Sequence, residues 1–136
     1  MIEEYKFGSI TINGKTYNYD VEVRWTPKDP APTLGAGSTG QAGEVLPWWR
    51  KESHVIDAED AKRAIEQNPD TIVIGTGESG MARVAEKAKE EIKSKGIELI
   101  IDLTEQATKT FNIINEESEE EEGKQRKVIG LFHLTC

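Results

Sequence analysis

Residues 71–80 read Thr-Ile-Val-Ile-Gly-Thr-Gly-Glu-Ser-Gly, an apolar run that enters a glycine-rich turn. The spacing Gly75-x-Gly77-x-x-Gly80 matches the fingerprint of dinucleotide-binding folds, in which the turn joins a buried strand to a helix. Residues 81–85, Met-Ala-Arg-Val-Ala, have the composition of a helix start. The stretch therefore predicts an α/β fold, and it leaves open whether the turn binds a cofactor or only redirects the chain.

Antiparallel strands are predicted before this turn. Asn13-Gly14 favours a type I′ turn, which makes a hairpin in which Ile12 pairs with Lys15. Residues 16–25 then alternate strictly between polar and apolar side chains, and this alternation predicts one continuous strand with one face buried.

Three helices are predicted after residue 56. The first begins at the N-cap Asp57 and stops at Asn68-Pro69, the second spans about residues 81–95, and the third begins after the N-cap Thr104. Their expected buried residues are Ala61, Ala64 and Ile65 in the first helix, Met81, Val84, Ala85, Ala88 and Ile92 in the second, and Ala107, Phe111 and Ile114 in the third.

Three short apolar runs at residues 71–75, 97–101 and 128–134 complete the predicted sheet. Continuous apolar strands joined through helices favour parallel pairing with both faces covered. We therefore expect a single three-layer α/β domain over residues 1–136, with a mixed central sheet, an N-terminal antiparallel β-hairpin and about three helices. Two loops are predicted, one rich in proline and glycine at 27–43 and one acidic at 116–127.

Composition excludes several classes of function. The chain has 136 residues and a net charge of −8, and residues 116–122 contribute six of its 25 acidic side chains. No broad basic face is available for phosphate backbones, so we expect no nucleic acid partner. No apolar run approaches the length of a membrane span, and the charged N-terminus does not resemble a secretory signal. We expect a cytoplasmic protein, and its abundant Glu and Lys suit a thermophile.

One candidate binding surface combines cationic side chains with the glycine turn. Arg50 and His54 would form a small cationic cluster beside Trp49, able to hold a carboxylate or a phosphate. The turn would add main-chain amides and a hydroxyl from Gly75, Thr76, Gly77 and Ser79. In the alternative interpretation, Arg50 is a surface arginine paired with a glutamate.

A nucleotide at the turn is the second hypothesis. Gly75, Gly77 and Gly80 would cradle a pyrophosphate, and Asp102 stands where a ribose-binding acid would follow. Glu78 would repel that phosphate, and a tight turn needs small residues with or without a ligand. No metal-ligand or nucleophile–base pattern is visible, so we expect no metal and no cofactor. His133 and Cys136 would point to opposite faces of a strand and could converge only with a bulge, so redox or metal chemistry at this pair is a third and weaker hypothesis.

Several segments together resemble a known family, namely Trp49-Arg50 with His54, residues 72–77, Gly96-Ile97, residues 104–107, Phe111-Asn112 and the ending Phe-His-Leu-Thr-Cys. They are similar to the Mth-nine-three-eight-like domain family, once a domain of unknown function. Its relatives include an adipogenesis-associated protein and, more distantly, a mitochondrial complex I assembly factor. The resemblance implies a three-layer α/β fold, no established enzymatic activity, and a role in adaptor or assembly contacts.

We therefore predict a non-enzymatic binding or assembly domain that acts through protein or small-anion contacts. The alternative is a small nucleotide-binding enzyme or sensor that uses the Gly75-x-Gly77-x-x-Gly80 turn. The unpaired edge of the hairpin also allows a homodimer.

Overall fold

The computed structural model describes residues 1–26, 44–52, 54–117 and 126–136. Within these ranges the elements are, in chain order, β1 (Ile2–Lys6), β2 (Ser9–Ile12), β3 (Lys15–Tyr17), β4 (Val21–Arg24), β5 (Val45–Pro47), β6 (Val55–Ile56), α1 (Ala58–Ile65), β7 (Thr71–Thr76), β8 (Arg83–Val84), α2 (Glu86–Ser94), β9 (Glu98–Asp102), α3 (Thr104–Glu117) and β10 (Val128–His133).

A mixed five-stranded sheet forms the centre of the molecule, in the order β5-β4-β10-β7-β9. β10 and β9 both run parallel to β7, whereas β4 is antiparallel to β10 and β5 is antiparallel to β4. β7 and β10 are buried along their whole length, as the continuous apolar runs predict. The α/β class and the mixed sheet are thus confirmed.

Alternate residues of the two central strands point into two separate apolar clusters. Ile72 and Ile74 of β7 face α1 and α2, while Val73 faces α3 and the N-terminal strands. The inward residues predicted for α1 and α3 are all buried, namely Ala61, Ala64, Ile65, Ala107, Phe111 and Ile114. The sheet is therefore covered by helices on both faces.

The predicted hairpin is confirmed, and it belongs to a larger sheet. Ile12 pairs with Lys15, and β1 adds a third antiparallel strand that the sequence pattern did not indicate. Ile10 and Ile12 are buried against α3 and the central sheet. The hairpin is thus one wall of the second apolar cluster.

The single alternating strand predicted for residues 16–25 is wrong. Asn18–Asp20 separate β3, in the N-terminal sheet, from β4, in the central sheet. Glu22, expected to face solvent, is 1% exposed because Arg24 and Arg63 donate to its two carboxylate oxygens at 3.0 and 2.9 Å. A buried carboxylate with both oxygens paired breaks the polar-out rule on which the prediction depended.

The second helix is shorter than predicted. It begins at Glu86, and Met81 is 53% exposed, although the sequence pattern placed it on a buried stripe. Residues 83–84 instead form β8, which pairs in parallel with β6. The backbone N–H groups of Arg83 and Ala85 donate to His54 and Ile56, and these hydrogen bonds hold the segment extended.

Two further expectations concern the periphery. The run at 97–101 forms β9 at one end of the sheet, so Ile101 is 39% exposed and the strand is not buried on both faces. The loop predicted at 27–43 lies outside the described residues. Of the acidic loop predicted at 116–127, residues 116–117 end α3 and residues 118–125 also lie outside.

Replacing Phe111 with alanine tests the second apolar cluster. Phe111 is 1% exposed and lies edge-on to Phe132 with ring centroids 6.1 Å apart. We expect Phe111→Ala to lower the free energy of unfolding in urea by about 3–5 kcal/mol, because it removes a large buried ring and leaves a cavity. Ile113→Ala, on the exposed side of α3 at 54% exposure, is the control and should change it by less than about 0.5 kcal/mol. Equal losses in the two variants would contradict this assignment of faces.

Candidate functional site

The carboxyl ends of the three parallel strands meet at one edge of the sheet. β7 ends at Thr76, β9 at Asp102 and β10 at His133. The chain leaves β7 for β9 on one side and returns through α3 to β10 on the other side. In open α/β sheets, ligands bind at such a switch point, outside the carboxyl ends of the strands. This edge is therefore where the fold favours a ligand site.

The glycine turn after β7 is explained by the fold itself. A Cβ on Gly75 would lie 2.7 Å from the Thr104 hydroxyl oxygen. Gly77 has φ +105°, and a Cβ there would lie 2.5 Å from the main-chain oxygen of Cys136. Gly80 also has a positive φ, +74°. Close approach and left-handed backbone geometry thus require these glycines whether or not a ligand is present.

Three amides in and beside this turn already have acceptors within the chain. Gly77 N–H donates to the Thr104 hydroxyl at 2.8 Å, and Glu78 N–H donates to the carbonyl of Thr135 at 2.8 Å. Met81 N–H donates to the main-chain oxygen of Cys136 at 3.0 Å. Residues 135–136 thus occupy the crevice in which a pyrophosphate would bind.

The dinucleotide fingerprint also lacks its helix. β8, and not a helix, follows the turn, so the predicted strand–turn–helix unit is wrong. Asp102 does lie beside the turn, paired with Gly75 across the sheet. One of its carboxylate oxygens accepts the N–H of Leu103 at 2.8 Å. The turn and the aspartate are close together, but the helix that begins beside them is α3, whose first residue, Thr104, bonds to Gly77 through its hydroxyl and its N–H.

The predicted cluster of Trp49, Arg50 and His54 is only partly brought together. The side chain of Arg50 is 5% exposed, and its guanidinium stacks 4.9 Å from the ring of Trp48. Trp49 is 77% exposed, and the ring of His54 lies 6.3 Å from that of His133. Arg50 is therefore neither the surface arginine of the alternative interpretation nor an accessible anion ligand.

Arg50 belongs instead to a buried polar cluster with Asp20 and His133. One oxygen of the Asp20 carboxylate accepts from Arg50 and lies 2.8 Å from His133 Nδ1, and the other accepts Leu134 N–H at 2.8 Å. Nδ1 of His133 also lies 3.0 Å from Nη2 of Arg50, so this ring nitrogen contacts both members of the ion pair. The cluster joins the start of β4, the segment around Arg50 and the end of β10.

The hydrogen bonds of this cluster control the charge of Asp20. Burial by itself raises the pKa of Asp20, but the hydrogen bonds from His133, Leu134 and Arg50 outweigh burial and lower the pKa below its usual value. Nearby, the Tyr5 hydroxyl donates to the carbonyl of Leu134 at 3.0 Å. Burial, with smaller contributions from neighbouring carboxylates, raises the pKa of Tyr5 to about 12. Asp20 stays ionised and Tyr5 stays neutral at physiological pH.

A cleft of about 560 Å³ opens beside the glycine turn, on the side of α2. Its volume lies within the range of about 300–1,000 Å³ that is usual for small-molecule sites. Apolar and charged groups both line it, namely Val55, Thr76, Gly80, Ala82, Arg83, Val84, Ala85, Glu86, Lys89 and Ile101. Of the sequence-predicted site residues, the cleft contains Thr76 and Gly80.

Two basic side chains and one acidic side chain line the cleft, namely Arg83, Lys89 and Glu86. Lys89 pairs with Glu86 at 3.2 Å, whereas Arg83 takes part in none of the ion pairs among the described residues. α2 begins at the N-cap Ala85, which has no side chain able to bind the first amides of the helix. An uncapped helix N-terminus favours negative charge. The cleft thus offers an anion both N–H donors and a guanidinium.

Sequence reasoning missed Arg83 and Lys89 because it placed both within one long helix. The helix begins at Glu86, after Ala85, which has no side chain that could cap it. With the helix start placed there, the sequence would have indicated an uncapped N-terminus. Among the described residues, no group of three or more His, Cys, Asp or Glu side chains could hold a metal ion. None of the described helices is long and apolar enough to cross a membrane.

Comparison with known proteins gives one family and several solved structures that share this fold. Residues 2–133 match the family model described as a protein of unknown function, DUF498/DUF598. A conserved hypothetical protein, PH1505 from Pyrococcus horikoshii OT3, is 24% identical with a TM-score of 0.69, over 100% of this chain and 99% of that one. MT938 is 22% identical with a TM-score of 0.68, over 100% and 98%.

A third solved structure is described as an outer membrane protein from Bartonella henselae. It is 19% identical with a TM-score of 0.68, over 99% of this chain and 94% of that one. At these identities, the three likenesses show a shared fold, and they extend over nearly the full length of each chain.

Replacing Gly77 with alanine separates packing from backbone strain. Gly96 also has a positive φ, +77°, but nothing lies within 4 Å of a Cβ added there. We expect Gly96→Ala to cost about 1–2 kcal/mol of stability from backbone strain alone. Gly77→Ala should cost clearly more, because the new methyl group collides with Cys136 as well. Chemical denaturation of both variants measures the difference, and equal losses would mean that residue 136 does not pack against the turn.

The half-buried, ion-paired carboxylate of Asp20 predicts acid sensitivity. Since its pKa is lowered in the folded state, its contribution to stability is complete above its unfolded pKa, about 4, and is lost as pH falls through the folded pKa. Asp20→Asn should lower the free energy of unfolding at neutral pH by about 1–3 kcal/mol, because the guanidinium of Arg50, 5% exposed, loses a charged hydrogen-bond partner. The variant should also flatten the decline of stability below about pH 5.

The matched control for this experiment is Glu90→Gln, an exposed carboxylate on α2. Its urea unfolding curves between neutral pH and about pH 3 should follow those of the unmodified protein. An Asp20→Asn variant with unchanged pH dependence would show that Asp20 is not ionised within the cluster.

Proposed function

Because this chain belongs to the DUF498/DUF598 family of proteins of unknown function, whose fold is that of the Mth-nine-three-eight-like domain, we propose its function from its own geometry. We propose a non-enzymatic binding domain that holds a small anionic ligand in the cleft beside the glycine turn. The observation that carries the proposal is the meeting of Arg83 with the uncapped N-terminus of α2 inside a cleft of about 560 Å³.

The charges of the cleft favour one anionic group on the ligand. Arg83 and Lys89 contribute two positive charges and Glu86 one negative charge, so the lining carries one net positive charge. The Lys89 ammonium is already shared with Glu86 at 3.2 Å, which leaves Arg83 as the main cationic donor. A guanidinium binds a carboxylate or a phosphate through two parallel hydrogen bonds. One such group on the ligand would satisfy both Arg83 and the helix amides.

The remaining walls favour an apolar body attached to this anion. Val55, Val84 and Ile101 line the cleft, and Ala82 forms part of its base. Burying a short alkyl or ring structure against these side chains would add about 0.8 kcal/mol for each methylene group. The proposed ligand class is therefore a small organic carboxylate or phosphate monoester with an apolar portion.

Binding without catalysis is supported by the side chains at the cleft. Its titratable groups are two cations and one carboxylate that pairs with one of them, and the Thr76 hydroxyl donates to the Asp102 carbonyl at 3.1 Å. No lining residue combines a nucleophile with a neighbouring base, which covalent or general acid–base chemistry needs. The alternative is a nucleotide-binding enzyme or sensor, for which the proximity of Asp102 to Gly75 is the one favourable observation.

A panel of anions tests both hypotheses. Hexanoate, hexyl phosphate, inorganic phosphate, NAD, NADP, FAD and ATP would each be examined by thermal unfolding and equilibrium dialysis. At a concentration 100 times its dissociation constant, a bound ligand should stabilise the fold by about 2.7 kcal/mol. We expect hexyl phosphate or hexanoate to bind more tightly than inorganic phosphate, because only they fill the apolar wall.

Arg83→Ala should weaken the binding of hexyl phosphate by about tenfold or more, since a charge-assisted hydrogen bond is worth about 1.5–3 kcal/mol. The control is Lys87→Ala, which removes an exposed cation of α2 outside the cleft and should leave affinity nearly unchanged. Equal losses in both variants would indicate attraction by overall charge and contradict the cleft. Submicromolar binding of NAD or FAD that depends on Asp102 would favour the alternative.

A further inference from the structure

One edge of the central sheet is open along β9. Among the described residues, no strand pairs with its outer side. Glu98 N–H donates to the carbonyl of Asp70 at 3.0 Å, towards β7. Because alternate residues of a strand direct their N–H and C=O groups to opposite neighbours, Leu99 and Ile101 direct theirs away from the sheet. Four main-chain hydrogen-bonding groups therefore lie along this edge.

The surface around this edge is apolar. Ile101, Leu103 and Met81 are 39%, 42% and 53% exposed. A methyl group of Leu103 lies 3.0 Å from the place of a Cβ on Gly80, and Ile101 lines the cleft together with Gly80. These side chains therefore surround the end of the glycine turn beside the strand. Natural edge strands are commonly protected by lysine, proline or a bulge, and β9 contains neither residue and pairs with β7 in continuous register.

One acidic group without an ion-pair partner stands at the carboxyl end of the same edge. Asp102 is exposed and takes part in no ion pair among the described residues. Within β9 itself there is no basic residue, since it reads Glu-Leu-Ile-Ile-Asp. An approaching strand would meet free main-chain groups, apolar side chains and then the carboxylate of Asp102. Lysine or arginine flanking its apolar residues would complement this pattern.

We propose that the β9 edge binds an extended, basic segment of a partner protein by strand addition. Leu99 and Ile101 supply the main-chain hydrogen bonds, Ile101 and Leu103 contact apolar side chains at alternate positions of the segment, and Asp102 pairs with its basic residue. This interaction is distinct from anion binding in the cleft, because it uses the outer edge of the strand and the opposite sign of charge.

A second copy of the chain fits this edge poorly. Antiparallel pairing of two β9 strands over all five residues would place Glu98 of each copy opposite Asp102 of the other. Arg126 pairs with Glu98 at 2.9 Å, but this ion pair is exposed and offsets only part of the repulsion between the carboxylates. Pairing centred on Ile101 would need the main chain of Leu103, whose N–H and carbonyl are already bonded to Asp102 and Ala107.

Two model peptides test the proposal on the whole protein. One is a heptapeptide of alternating lysine and valine, and the other replaces each lysine with glutamate. We expect the basic peptide to bind at least about tenfold more tightly, to weaken as salt is raised, and to slow hydrogen exchange at the amides of Leu99 and Ile101. Equal affinity for the two peptides, or no protection at these two amides, would overturn the proposal.

Ile101→Pro removes an outward N–H and none of the hydrogen bonds to β7. It should abolish protection of the remaining edge and reduce affinity for the basic peptide by about tenfold, while Ile101→Val retains binding. Should the proline variant unfold, Asp102→Lys replaces it and should reverse the preference between the two peptides. Arg83→Ala should not weaken peptide binding, which separates this result from that of the cleft.

Sedimentation of the protein alone completes the test. We expect no concentration-dependent dimer that Ile101→Pro abolishes. Such a dimer would show that a second copy occupies the edge and would overturn the assignment to a basic partner.

Discussion

The hydroxyl of Thr104 links the carboxyl ends of β7 and β10, at the edge where ligands of α/β sheets usually bind. It accepts from Gly77 at the end of β7 and donates to the carbonyl of His133 at the end of β10, at 2.8 and 2.6 Å. Residues 135–136 then bond to the amides of Glu78 and Met81. With the switch point filled by the chain itself, the available space moves outwards to the cleft beside α2, and the residues that can contact a ligand change accordingly.

The cluster of Asp20, Arg50 and His133 also holds the end of β10 in place, next to residues 135–136. Three segments that are distant in sequence converge on one half-buried carboxylate, and the next residue, Leu134, donates its N–H to that carboxylate. Removing Asp20 or Arg50 would leave the other with a charge that has lost this partner, so the cluster specifies one arrangement more than it adds stability. This explains how an arginine whose sequence context indicates a ligand site can be structural.

The periodicity of apolar residues predicted the elements that are buried through apolar side chains. It failed for the elements whose positions depend on hydrogen bonds and ion pairs of polar side chains. The apolar runs at 71–75 and 128–134 and the inward faces of α1 and α3 follow from residue spacing alone. The break at Asn18–Asp20 does not, because it depends on a histidine more than 100 positions away, and the burial of Glu22 depends on Arg63 of another element. The cleft was missed for the same reason, since the pairing of β8 with β6 keeps Arg83 out of a helix. The family resemblance predicted the fold, but it did not indicate the cleft.

The order of strands constrains how the protein can be made. β10, which lies between β4 and β7, comes last of the described strands, so those two have no common neighbour until residues 128–133 leave the ribosome. Until then, both apolar clusters are incomplete and two strand edges are exposed in the nascent chain. In the central sheet, β10 pairs with β4 and β7, and β7 pairs with β9, which are distant in sequence. Such non-local pairing predicts slow folding. We therefore expect the nascent chain to expose apolar surface that a chaperone can bind before β10 has been synthesised.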